Sequence, residues 1–206
     1  RVFGSIGTNR NTFADGVGAY NYPTVVGRTF GNFHGQTNHS TSGNTDFFVI
    51  QFDESGNTNW ARIHGTNAIE EAYGVAEDAW GNVYVLGVAY GNLDGQIRVG
   101  DIYSDLMLVK YDSSGNRLYT RLWGTDGDDT PVDLVLENTN CIYTCSTVYK
   151  SWWGQTNPGA ESAVLSRWRQ GPNVVPSASI QKPLAGREFL QNETVLCGGT
   201  GNDTDD

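Results

Sequence analysis

Basic residues are scarce in this chain. Thirteen Lys and Arg stand against 23 Asp and Glu in 206 residues, a formal charge of −10 with a pI near 4.6. A nucleic-acid surface needs a phosphate-neutralising Lys/Arg face, so this balance argues against nucleic acid as a partner. It argues equally against docking on anionic lipid through basic residues. Long hydrophobic runs are missing too: no apolar stretch approaches the roughly 18 residues that mark a membrane span. Methionine occurs once, and charged residues make up only 17%. No signal-peptide pattern is visible. The chain opens at Arg1 without a methionine, as expected of a processed chain or an excerpt of a larger protein.

Glycine is in excess, at 26 residues against an average near 7% of a chain. Aromatics reach 12%. Gly, Asn, Thr and aromatics in place of Lys and Glu favour many short strands and tight turns over helices. The aromatic and aliphatic residues suffice for a core, which excludes intrinsic disorder.

The chain is internally repetitive. Gly7-Thr8-Asn9, Gly65-Thr66-Asn67 and Gly124-Thr125-Asp126 recur at spacings of 58 and 59 residues. Gly31-Asn32-x-x-Gly35-Gln36 returns as Gly91-Asn92-x-x-Gly95-Gln96, and Gly154-Gln155 supplies a third partial copy. Residues 46–53 match 105–112, with 162–169 a weaker third copy. Each unit reads as four strands. Strand a is expected at 14–20, 71–77 and 130–136, and strand b at 23–29, 82–89 and 141–148. Strand c follows a long loop at 46–53, 105–112 and 162–169, and strand d is expected at 58–63 and 117–122. Asp78-Ala79-Trp80-Gly81-Asn82 reads as a hairpin turn in which Gly81 supplies a positive φ; Gly56 and Gly115 repeat that chemistry between c and d. Val83-Tyr84-Val85-Leu86 and Leu106-Met107-Leu108-Val109 are continuous apolar runs, suited to strands covered on both faces.

A four-stranded unit of about 59 residues that recurs is the pattern of a β-propeller blade. Gly81-Asn82-Val83-Tyr84-Val85-Leu86-Gly87, followed by Asp105 to Gly115, resembles the SBBP β-propeller repeat of secreted and surface proteins. The resemblance covers roughly residues 1–170 and implies a fold without implying a reaction. The third copy departs from it: Ser146 replaces the strand-b glycine, and Gln170-Gly171-Pro172 replaces the c–d turn.

The expected fold is therefore all-β: a β-propeller-like array of about three four-stranded antiparallel blades over residues 1–170, in units of about 7–64, 65–123 and 124–170. An orphan N-terminal strand at 1–6 would complete a blade. An extended Pro/Gly-containing tail at 171–206 would carry a terminal strand around Glu193 to Cys197. Three blades are too few to close, since propellers typically need four or more. An open sheet edge invites strand addition by another chain, and a head-to-tail contact that does not close builds a filament. Val2, Phe3, Ile6, Val195 and Leu196 are the candidate assembly residues. The expectation is a homo-oligomer or helical filament.

Cys141 and Cys145 lie four apart on one strand, about 13 Å at 3.3 Å per residue, too far to pair with each other. Either can pair with Cys197, which leaves one odd thiol; all three can equally be buried small hydrophobes. N-glycosylation sequons begin at Asn38, Asn192 and Asn202. With Thr37, Ser40, Thr41, Ser42 and Thr45 as O-linked candidates, they suggest a glycosylated protein at the cell surface or outside the cell.

No catalytic site and no resident cofactor are expected. Asp126, Asp128, Asp129 and Asp133 cluster after strand d, and Asp126, Asp128 and Asp129 are candidates for weak calcium binding. Their spacing fits no EF-hand, and a solvated acidic loop is the preferred reading. His34, His39 and His64 show no metal spacing, and no phosphate loop or nucleophile elbow occurs. Trp60, Trp123 and Trp168 are expected in the core. Trp80, Trp152 and Trp153 are expected in turns or loops, where an indole can stack on a sugar or meet another subunit. The leading function is a structural filament subunit; the alternatives are a carbohydrate-binding propeller or an excerpt of a larger one.

Overall fold

Eleven strands account for all the regular secondary structure among the residues described by the computed structural model, namely 11–100, 102–138, 141–151 and 161–169. The first sheet contains β1 (Thr12–Ala19), β2 (Pro23–Thr29), β3 (Asp46–Phe52) and β4 (Thr58–His64), paired antiparallel in that order. The second contains β5 (Glu70–Glu77), β6 (Val83–Ala89), β7 (Asp105–Tyr111) and β8 (Arg117–Trp123), again in sequence order. The third has three strands, β9 (Asp129–Asn138), β10 (Cys141–Val148) and β11 (Ser162–Arg169). The protein is all-β, and no helix among the described residues is long and apolar enough to cross a membrane. The three sheets do not close into a barrel or ring. Strands a, b and c of the repeat fall at β1, β5, β9, then β2, β6, β10, then β3, β7, β11. The assembly residues expected at 2–6 and 195–196, the tail, Cys197, Asn192, Asn202, Trp152 and Trp153 lie outside the described residues.

Local chemistry explains the hairpins. Asp53, Asp78 and Asp112 each begin an Asp-x-x-Gly-Asn turn, with Gly56, Gly81 and Gly115 at φ of 76°, 80° and 74°. In each, the Asn carbonyl accepts the Asp N–H and the Asp carbonyl accepts the Gly N–H, at 2.8–2.9 Å. The Asp carboxylate then accepts from the Asn backbone and side chain, as at Asp78 Oδ1–Asn82 N, 2.9 Å, and Oδ2–Asn82 Nδ2, 2.8 Å. The sequence pattern placed Asp78 and the three glycines in these turns; the equivalent Asp53 and Asp112 stood outside the expected turns. In the long b–c loops, His34-Gly35 and Asp94-Gly95 carry consecutive positive φ values, the signature of a two-residue I′ hairpin, closed by Phe33–Gln36 and Leu93–Gln96 bridges.

The sheets stack in chain order. β3, β6 and β7 are buried along their full length, as their continuous apolar runs require. Val26, Phe47, Val49 and Trp60 of the first sheet pack on Val85, Met107, Val109 and Tyr111 of the second. Tyr84, Leu86, Leu106, Leu108 and Trp123 then pack on Leu134, Ile142, Val148 and Trp168 of the third. Trp60, Trp123 and Trp168 are core residues as expected; the Trp123 and Trp168 rings meet edge-on at 4.5 Å. A third cluster of Phe48, Ile50, Phe52 and Ile63 forms on the opposite face of β3 and β4.

Each strand a carries a one-residue bulge at the equivalent position, Asp15, Tyr73 and Val132, and β9 has a second at Glu137. The equivalent bulges recur at the repeat period, and periodicity in the sequence does not signal them. β1 runs close beside β5, where a side chain on Gly16 would strike the Tyr73 carbonyl oxygen.

Candidate functional site

Two features distinguish the molecule chemically: the junctions between sheets and the far side of the third sheet. The junctions are built by the Gly-Thr motif that first revealed the repeat. At the first, Glu70 opens β5; its N–H donates to the Thr45 carbonyl at 2.9 Å, tying it to the residue before Asp46. Glu70 Oε2 accepts the Thr66 N–H and Oε1 accepts the Thr66 hydroxyl, both at 2.7 Å. Asp46 Oδ2 accepts the His39 N–H at 2.6 Å and lies 2.7 Å from His39 Nδ1. The second junction repeats the frame. Asp129 opens β9 and bonds through its N–H to the Ser104 carbonyl at 3.2 Å. Its carboxylate accepts the Thr125 N–H at 2.6 Å and hydroxyl at 3.0 Å. Asp105 Oδ2 accepts the Val99 N–H at 2.8 Å.

In each junction the two carboxyls converge on one glycine. A Cβ on Gly65 would stand 2.7 Å from both Asp46 Oδ1 and Glu70 Oε2. One on Gly124 would strike Asp129 Oδ2 and lie 3.1 Å from Asp105 Oδ1. Asp46, Glu70, Asp105 and Asp129 are all 0% exposed, and the Oδ1 atoms of Asp46 and Asp105 have no hydrogen-bond partner. Burial pushes all four carboxyls up, Asp105 to about 6 and Asp129 to about 7, with the neighbouring carboxylates adding to the rise at Glu70 and Asp129.

These positions correct the expectation of a solvated acidic loop at Asp129 and in part at Asp128. Asp129 is a buried strand-opening residue and Asp128 is half-buried, accepting the Ser104 hydroxyl at 2.5 Å; Asp126 and Asp133 are exposed. Among the described residues no group of three or more His, Cys, Asp or Glu is disposed to hold a metal ion. His64, expected to pack, does so against Phe47 and also pairs with Asp94 at 2.9 Å. Asp94 further accepts the Thr120 hydroxyl and pairs with Arg117 at 3.0 Å, linking β4 to β8. Burial pushes Asp94 up, and the hydrogen bonds from His64 and Thr120 with the His64 and Arg117 charges outweigh it, leaving its pKa lowered.

Among the described residues the third sheet has three strands where the others have four. Its outermost described strand is β11, where β4 and β8 stand in the first two sheets. By alternation, Tyr143, Cys145, Leu165 and Arg167 face away from the second sheet. Leu165 is 45% exposed and Val135, opposite Tyr143, is 59% exposed. Cys141 and Cys145 do not pair with each other, as expected from their separation on one strand, and are free thiols among the described residues; Cys141 is buried and receives the Arg167 Nε–H at 3.0 Å. Arg167 also lies over the Tyr143 ring and pairs with Glu137 at 3.5 Å.

Trp80 stands 63% exposed at its turn. Asn38 is half-buried; its Nδ2 donates to the Thr29 carbonyl at 2.8 Å and the Asn44 carbonyl at 3.4 Å. A glycosylated amide keeps one N–H, so a glycan here would release one of these bonds. Thr41 and Ser42, both exposed, donate to Asn67 Oδ1 at 2.8–3.2 Å through their backbone and hydroxyl groups. Compared with known protein families and with curated proteins, the chain matches none of them.

Proposed function

We propose that this chain is a structural subunit of an extracellular glycosylated filament or surface appendage. In this reading its sheets are consecutive blades of an SBBP-type, β-propeller-like array, and copies join head to tail by strand addition. The observation that carries the reading is the third sheet. Among the described residues β11 is its outermost strand and Val135 and Leu165 are exposed, whereas Leu86 and Leu108, the second-sheet equivalents of Cys145 and Leu165, are buried beneath a following sheet. Residues 2–6 precede Gly7-Thr8 as β4 precedes Gly65-Thr66, and in this reading they serve as a strand d for the sheet of another copy. Pairing those residues of one copy with β11 of another would satisfy the open edge through main-chain hydrogen bonds. No catalytic role enters this reading. Removal of residues 1–6 should lower the particle mass measured by light scattering to that of single chains; a truncated chain that assembles like the full one overturns the proposal.

A second reading, a carbohydrate-binding propeller, is favoured by Trp80, whose exposed indole presents a face to a sugar ring. A glycan array separates the two: binding lost in Trp80→Ala supports it, and no binding by the full chain removes it.

A further inference from the structure

We propose that Asp105 and Asp129 share one proton in the folded protein at neutral pH, making the second sheet junction a built-in proton-binding site. The geometry repeats at two independent places, which separates it from a chance acidic cluster. In both, two fully buried carboxyls approach the same glycine, and the aspartate Oδ1 beside that glycine has no hydrogen-bond partner. Every other oxygen of the two pairs accepts a backbone N–H or threonine hydroxyl or meets His39. A buried oxygen with no donor beside a second carboxylate is costly as an ion. Protonated, it donates an O–H to its neighbour, and one negative charge remains on the pair. The proton comes from solvent as the chain folds.

The surroundings decide which junction needs it most. At the first, His39 contacts Asp46 directly, and His64 acts on both Asp46 and Glu70, so imidazole is at hand to balance the charge. Glu71, which accepts the Thr45 hydroxyl, is the other acid on β5 at that point. At the second, Val99 occupies the place of His39. The charges there are Arg98 acting on Asp105 from the preceding loop and Asp128 acting on Asp129. Tyr90, Tyr149 and Lys150 stand nearby among the described residues, the last two packed beside Gly127. None of the basic groups forms an ion pair with Asp105 or Asp129 among those found in the described residues. Burial lifts Asp105 to about 6 and Asp129 to about 7, and the Asp105 charge adds to the rise at Asp129, so the pair is expected to titrate in two steps.

The test is a pH titration of the side-chain carboxyls in the ¹³C-labelled full chain by NMR. Two mutually coupled carboxyls should titrate above about pH 5, away from the ordinary carboxylate range. In Asp105→Asn the upper step should vanish and Asp129 should move down. All carboxyls titrating below about pH 5 would overturn the proposal, and that result needs no variant. Added calcium should leave the curves unchanged; a calcium-dependent shift would assign the pair to a cation instead. Either result is independent of whether copies of the chain assemble.

Discussion

The first junction holds Asp46 and Glu70 beside two histidines; the second holds Asp105 and Asp129 with none. The backbone frame is the same in both: a threonine caps the acid that opens the next strand, and a glycine lets the two carboxyls approach. What differs is how the charge is compensated. The repeat therefore conserves a geometry within this chain while its electrostatics vary from unit to unit, and the two junctions should respond to pH differently.

The largest effect is expected from closing the gap itself. Gly124→Ala should destabilise the fold by about 3 kcal/mol, since the new methyl strikes a capped, buried carboxylate. Gly65→Ala should cost less, because its closest contacts are longer. Denaturant unfolding of both variants checks the order; equal losses would show that the second junction is no tighter than the first.

Next comes the aspartate pair. Asp105→Asn keeps an acceptor for the Val99 N–H and offers an amide donor to Asp129. It should stabilise the protein at pH 8 by about 1 kcal/mol, or about 2–4 °C in Tm for a chain of this size. Asp46→Asn should give no such gain, because it surrenders the short contact with His39. Thermal melts of the two variants at pH 8 should thus differ in sign or clearly in size. His39→Ala is expected to cost about 1 kcal/mol, by loss of one charge-assisted hydrogen bond at a half-exposed ring; a Tm unchanged from the parent would remove the imidazole from the first junction's charge balance. Trp80→Ala should have the smallest effect, within about 0.5 kcal/mol, as expected for an exposed turn residue that fills no core.

The strands were legible because each periodic or continuous apolar run is bounded by Gly, Asn or Asp. β2, β10 and β11 begin and end where the repeat placed them, and β1 and β9 differ by one or two residues at each end. The bulges at Asp15, Tyr73 and Val132 were not legible, since an extra residue in a strand leaves its composition unchanged. The junction carboxyls were hidden for another reason. An aspartate near a turn ordinarily faces water, and only the stacking of one sheet on the next buries Asp129 and Asp105. A sequence signal did exist: Thr66 precedes Glu70 by four residues, as Thr125 precedes Asp129. An acid repeated at that spacing at the start of the second and third strands a marks a cap and not a solvated loop; Thr12 holds the place in the first. The Asp-x-x-Gly-Asn turns carried a similar unread signal in Asp53 and Asp112.

The proton at the second junction also fixes the direction of the pH dependence. A carboxyl raised in the folded state binds a proton that the unfolded chain has released above about pH 4. Stability from this pair is therefore full below that pH, declines as pH rises through about 6 to 7, and is level above it. Asp94 and Asp112, both lowered, act the other way: their contribution is present above about pH 4 and fades as pH falls below it.

The decisive measurement is the thermal midpoint at pH 5 and pH 8, at one protein concentration, for the parent chain and Asp105→Asn. The parent should melt higher at pH 5, and the substitution should shrink that gap chiefly by raising the value at pH 8. A parent chain that is as stable at pH 8 as at pH 5, or a variant that keeps the full gap, would contradict the account.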